Sequence, residues 1–170
     1  MTDNNHSQLV RFTLGTDTDH KGRTIDDVLS LDDFWLEHTH DYIQWLFPIP
    51  EAGRFNGFVP VLDQATRDSF AREARLQDQQ RRSLDRMLRF FGLVRSPDAI
   101  GAGPHLNPKD HIWLKRGGHN HLRITRMIRS LHHCHQPELA QLFQAAVIEL
   151  GRSRGYVPDK TIEYWLRATD

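Results

Sequence analysis

Leu139, Leu142, Phe143, Ala146, Val147 and Leu150 recur three and four residues apart. That spacing places them on one face of an α-helix. The same period runs through Leu84, Met87, Leu88 and Phe91, and again through Ile124, Met127, Ile128 and Leu131. A half-buried strand would need strict alternation of apolar and polar residues, and no stretch of useful length alternates. The expected fold class is therefore all-α: a single compact multi-helix domain of about six to seven helices with long irregular loops. Residues 1–10 are polar and are expected to form a flexible N-terminus, with the helical domain spanning 11–170.

Local chemistry sets the expected boundaries. Asp19-His20-Lys21-Gly22 reads as a turn, after which Thr24 can cap a short helix with Ile25, Val28 and Leu29 inward. One helix is expected from about Ser30 to just before Pro48, with Leu31, Trp35, Tyr42 and Leu46 as its inner stripe. Pro48, Pro50, Gly53, Gly57 and Pro60 mark a loop. Asp63 caps a charged helical stretch that runs on to Phe91 and ends at Gly92. Residues 95–118 read as irregular, with Trp113 plugging them onto the core. Asn120 is placed as the cap of the next helix, Pro137 in the first turn of the one after it, and Tyr164 and Trp165 as anchors of a last short helix over 161–168.

Composition bounds function. The chain has 170 residues, 38% hydrophobic and 26% charged, with 22 basic and 22 acidic side chains. A domain of that length buries roughly 70% of the surface of its extended chain, so it needs neither disulfide nor metal to fold. A neutral chain has no global field to draw it to nucleic acid, which argues against DNA as a partner. The single cysteine, Cys134, permits no internal disulfide. The first residues lack the basic-then-apolar order of a secretory signal, and no apolar run approaches a membrane span. A soluble, cytoplasmic protein is the expectation. Asn5-His6-Ser7 matches a glycosylation sequon, which has no meaning without secretion.

Three patterns that carry chemistry elsewhere are discounted. Gly151-Arg152-Ser153-Arg154-Gly155 matches a nucleophile-elbow pattern, but it follows a helix and no histidine lies downstream of Ser153. His38 with His40, and His119 with His121, are two apart and diverge on a helix. His132 and His135 have no second ligand pair of metal-site spacing. Gly101-Ala102-Gly103 is followed by Pro104, which removes an amide donor a phosphate loop would use. No catalytic residue, metal or cofactor is expected.

Two polar stripes remain. Glu37, His40, Asp41 and Gln44 are spaced to share one helix face, and Arg123, Arg126, Ser130 and His133 share another. Opposite charge on two faces is consistent with two solvated surfaces, with a structural Arg–carboxylate network, or with a bipolar ligand site. In the last case Glu37 and Asp41 would take an amine and Arg123 or Arg126 a carboxylate. His40, Gln44 and Asn120 would lie beside them, and aromatic groups of the ligand would stack near Trp45 or Tyr42.

Leu36-Glu-His-Thr-His-Asp-Tyr-Ile-Gln-Trp-Leu-Phe-Pro48 resembles the signature of the opioid growth factor receptor conserved domain, and His119-Asn-His-Leu-Arg-Ile-Thr-Arg126 resembles a second block of that family. Phe55-Asn56, Pro60-Val-Leu62, Arg86-Met-Leu88, Phe90-Phe-Gly92, Trp113 and Tyr164-Trp165 fit around them, so the resemblance runs from about Phe12 to Ala168. It implies an all-helical, non-enzymatic, receptor-like module that binds an enkephalin-like peptide or small zwitterionic ligand. In animals the resemblance implies nuclear and perinuclear-membrane locations. A protein partner, a scaffolding domain with no small ligand, a metal-dependent hydrolase, and RNA binding through Arg123, Arg126 and Arg129 are the other readings.

Overall fold

The structure, a computed structural model, describes residues 6–53 and 57–170. Asn5 of the sequon and the Phe55-Asn56 pair lie outside the described residues. Among the described residues the chain forms nine α-helices, one 3-10 turn and a two-stranded antiparallel sheet. It is mostly helical, as the periodicity requires, with more and shorter helices than expected. The chain divides into two compact units, Met1–Ser83 with His133–His135, and Leu84–His132 with Gln136–Asp170.

The first unit holds α1 (Gln8–Leu14), α2 (Ile25–Leu29), α3 (Asp33–His38), α4 (Ile43–Leu46), α5 (Gln64–Arg72) and the start of α6 (Ala74–Phe90). α1 packs on α4 and α5, and Val10, Leu62, Phe70, Leu76 and Cys134 form a common buried cluster. α1 begins earlier than the expected loose segment allows, because Leu9 and Val10 are apolar enough to be drawn into that core. Ser7 accepts from the Val10 amide as its cap, and Gly15 closes it at φ 85°. Thr24 and Asp27 form a reciprocal capping box on α2, so the short helix expected there is present.

The single helix expected over 30–47 is divided in two. Asp32 caps α3, whose last residues lead into extended backbone at Thr39, φ −101° and ψ 125°. The fully buried Tyr42 then donates its hydroxyl to the Leu36 carbonyl at 2.7 Å. One carbonyl left open at the C-terminal end of α3 is thereby satisfied by a side chain rather than by another turn. The inner stripe changes with the break: Leu36 is buried, whereas Trp35 is 54% exposed beside Phe34. The charged helix that follows is also broken, at Glu73, where the backbone becomes extended.

The second unit contains the rest of α6, β1 (Leu93–Ser96), β2 (Ala99–Ala102), a 3-10 turn (Ile112–Leu114), α7 (His119–His133), α8 (Pro137–Ser153) and α9 (Asp159–Arg167). α8 packs against β2, the 3-10 turn and α9. The inward faces expected from the sequence are buried at Leu84, Met87, Leu88 and Phe91, and at Ile124, Met127, Ile128 and Leu131. Trp113 is the expected plug: it is buried and donates its indole N–H to the Phe91 carbonyl at 2.8 Å.

Three expectations fail in this unit. Residues 93–102 are a hairpin rather than irregular, paired from Leu93–Ala102 to Ser96–Ala99 around Pro97-Asp98. Its strands are four residues long and alternate too briefly to register as a period. α7 begins at His119, so Asn120 sits in its first turn instead of capping it. On α9, Trp165 and Ile162 are buried but Tyr164 faces outward.

Candidate functional site

In the first unit, the turn before α2 is built on one carboxylate. Asp19 is buried, and its Oδ1 accepts the amides of Lys21 at 2.9 Å and Arg23 at 3.0 Å, while Oδ2 accepts from Arg23 Nε at 2.7 Å. Gly22 at φ 75° lets the chain reverse at a position where a side chain would be strained. From this turn the side chains of His20, Lys21 and Arg23 reach one place.

That place is Asp41, in the break between α3 and α4. Arg23 Nη1 lies 3.0 Å from Asp41 Oδ1, and Arg23 Nη2 donates to the Asp41 backbone carbonyl at 3.2 Å. His20 Nε2 and Lys21 Nζ lie 3.3 and 3.5 Å from Asp41 Oδ2. Partial burial pushes the Asp41 carboxyl up. The hydrogen bond and charge of Arg23, with the charge of Lys21, outweigh it and hold the carboxyl below its ordinary value.

An aromatic column continues from the same histidine. The Phe58 ring stacks on His20 with centroids 4.2 Å apart, and Trp45 lies parallel to His20 at 6.0 Å. Trp45 also donates its indole N–H to His20 Nδ1 at 3.1 Å, and Phe12 meets Trp45 edge-on at 5.3 Å. Two clefts flank the column. One, of about 440 Å³, is lined by Lys21, Arg23, His38, His40, Asp41 and Phe58. The other, of about 420 Å³, has an apolar wall of Leu9, Trp45, Phe58, Val59, Pro60 and Val61 and a polar edge of His20, Ser7, Gln8, Asp63 and Thr66. Both fall in the size range of small-ligand sites.

The residues singled out from the sequence are dispersed by this geometry. His40 and Asp41 line the charged cleft and Trp45 the apolar one. Glu37 is on α3, and Gln44 on α4 donates to the His40 carbonyl at 3.1 Å. These residues do not form one helical face, since the chain leaves the helix between them. In the second unit Asn120 and Arg123 are buried, with Arg123 Nη1 donating to Asn120 Oδ1 at 3.1 Å, and Arg126 is half-buried. Between them His121 Nε2 meets the Trp113 carbonyl at 2.7 Å. A carbonyl only accepts, so Nε2 carries the proton and Nδ1 is left to accept from Thr161 Oγ1 at 3.4 Å. Arg129 Nη1 reaches the backbone carbonyls of Ala168 and Asp170 beyond α9, at 3.4 and 3.1 Å. Among the described residues no group of three or more His, Cys, Asp or Glu is placed to hold a metal ion, and no helix is long and apolar enough to cross a membrane.

Asp19, His20, Lys21, Arg23 and Phe58 were not singled out as site residues from the sequence. The available signal was three basic or titratable side chains within four residues of a turn-forming aspartate.

The family model of the Opioid growth factor receptor (OGFr) conserved region matches residues 5–169. The chain is similar to the Opioid growth factor receptor of Mus musculus, 34% identical over 99 residues, which covers 56% of this chain and 15% of that protein. It is 34% identical over 116 residues to the receptor of the same name from Rattus norvegicus, covering 65% of this chain and 20% of that one. Opioid growth factor receptor-like protein 1 of Xenopus tropicalis is 32% identical over 121 residues, 64% of this chain and 22% of its own. The chain thus matches between 15% and 22% of the length of these relatives. No solved structure matches it.

Proposed function

The chain belongs to the family of the opioid growth factor receptor conserved region, and from that membership we propose that it is a receptor-like, non-enzymatic binding module for a short zwitterionic peptide, with its site at the paired clefts around His20 and Asp41. The relatives are named for an opioid growth factor, and an enkephalin-type pentapeptide is the ligand this reading takes first. The observation that carries it is the junction at Asp41. An ionised carboxylate, two cations and a histidine meet at 3.0 to 3.5 Å, at the mouth of a cleft whose neighbour is walled by Trp45 and Phe58. Charged groups next to a cleft with an aromatic wall suit a ligand that is both ionic and aromatic.

Titration calorimetry with the pentapeptide Tyr-Gly-Gly-Phe-Met tests it. Saturable one-to-one heat that is weakened in Phe58→Ala, which removes the ring lining both clefts, is the expected result. Absence of heat up to millimolar peptide would sink the binding reading.

A second reading is favoured by the α7 block. Asn120, His121 and Arg123 are buried and bonded to neighbours in their own unit, which is how a scaffold uses polar residues. On that reading the domain presents a surface to a protein partner and binds no small ligand. The pentapeptide titration discriminates: a scaffold gives no heat, and Arg123→Ala then lowers thermal stability alone.

A further inference from the structure

We infer that the charged cleft takes the ligand's carboxylate, not its amine, and that the ligand is a peptide with a free C-terminus and an apolar side chain at or next to its last residue. This inference rests on the binding reading above and fixes the direction in which the peptide lies.

The argument is one of charge and donors. Asp41 is the one carboxylate lining the charged cleft among the described residues, against Lys21, Arg23, His38 and His40. Its Oδ1 is engaged by Arg23, and its Oδ2 by His20 and Lys21. Asp19 is wholly buried and paired with Arg23 Nε at 2.7 Å, so it offsets part of the Arg23 charge but presents no oxygen to the cleft for an amine to reach. A ligand ammonium arriving at Asp41 would have to displace a cation already there and would remain close to the others. Like charges at such distances oppose binding strongly in a partly desolvated site.

A carboxylate meets the reverse situation. Lys21 Nζ holds Asp41 only at 3.5 Å, and its side chain is 62% exposed, so the ammonium has donors to spare and room to swing. Arg23 keeps N–H donors beyond those it gives to Asp19 and Asp41. A lysine and an arginine fork side by side form a carboxylate site by charge-assisted hydrogen bonding.

The second half of the inference comes from the shared wall. Phe58 lines both clefts, with its ring stacked on His20. On the far side lie Leu9, Trp45, Val59, Pro60 and Val61 as its apolar part, with Asp63 as its one carboxylate and no lysine or arginine among the lining residues. In a terminal amino acid the carboxylate and the side chain branch from one Cα. A single residue can therefore straddle Phe58, with its charge on one side and its apolar group on the other.

Four peptides test this by calorimetry on the intact chain: Tyr-Gly-Gly-Phe-Met as free acid, its C-terminal amide, its N-acetyl form, and a form with aspartate in place of the last methionine. The acid is expected to bind roughly tenfold tighter than the amide, the size of one charge-assisted contact, and acetylation to change affinity by less than about threefold. The aspartate form should bind as weakly as the amide, since its side chain has no cation in the apolar cleft. In Lys21→Ala, a substitution at an exposed side chain outside the core, the difference between acid and amide should shrink. If acetylation weakens binding while amidation does not, Asp41 takes the amine and the inference is overturned with the binding reading intact. Equal affinity of acid and amide overturns it in the same way. If none of the four peptides binds, both fall together.

Discussion

Trp45 donates its indole N–H to Nδ1 of His20 across 3.1 Å, 25 residues back along the chain. An indole nitrogen can only donate, so Nδ1 must offer a lone pair and the ring proton of the neutral imidazole must sit on Nε2, facing Asp41 at 3.3 Å. The tautomer of one histidine thus links the aromatic column to the ion cluster.

That assignment can be read directly. In nitrogen-15 NMR of the neutral ring, His20 Nδ1 should show the shift of an unprotonated nitrogen and Nε2 that of a protonated one. The opposite pattern would mean that the Trp45 bond is absent. Trp45→Phe keeps an aromatic ring but removes the donor, and should lower stability in urea by about 1 kcal/mol.

Asp41 predicts a pH dependence. Its carboxyl is held below its ordinary value in the folded chain, so the unfolded chain takes up the proton first as pH falls. The stabilisation is fully present above the unfolded value of about 3.9 and is lost as pH drops through the lower folded value. The stability difference between the parent chain and Asp41→Asn should therefore be constant from pH 7 down to about 5 and shrink below about 4. A difference that grew in acid would contradict the ion cluster.

Tyr42→Phe should show how much the break between α3 and α4 depends on one hydroxyl. The ring stays buried, but the Leu36 carbonyl loses its 2.7 Å donor. A loss of about 1–2 kcal/mol in urea unfolding is expected. A neutral result would mean that the extended backbone at Thr39 ends α3 without help.

Gly92→Ala should be among the more damaging single-atom additions in the second unit. Gly92 has φ 76°, and a Cβ there would meet the His111 ring at 2.7 Å. The left-handed backbone alone costs about 1–2 kcal/mol for an L-residue, and the clash adds to it. A fall in melting temperature of roughly 4 °C or more is the expected reading.

His121→Phe fills most of the same volume but leaves the Trp113 carbonyl without its 2.7 Å partner and Thr161 without its acceptor. Unfolding should become easier by about 1–3 kcal/mol. Were His121 a ligand contact instead, stability would hold and only peptide affinity would change.

Much of the fold was legible. The stripes through Leu84, Ile124 and Phe143 are buried, and Thr24, Asp63 and Pro137 start helices where their chemistry puts them. The candidate site was legible only in part. His40, Asp41 and Trp45 lie in its two clefts, but their partners His20, Lys21 and Arg23 read as an ordinary turn. The hairpin at Leu93–Ala102 was missed because four-residue strands carry too little alternation to stand out.

The sequence by itself determined which residues face inward along each helix, because that depends on a period of 3.6 residues and on caps within four residues of the chain end of a helix. Tertiary structure alone decided that the chain breaks between His38 and Ile43 and that Asp41 meets Arg23 rather than Glu37's side of a helix. Helix periodicity is silent there: Glu37 to Gln44 would form a regular face if nothing else acted. A buried tyrosine reaching a carbonyl six residues back, and an arginine 18 residues away reaching the Asp41 carbonyl, are side-chain contacts that lie outside any helical period. They exist only after the loops have closed, and no local propensity encodes them.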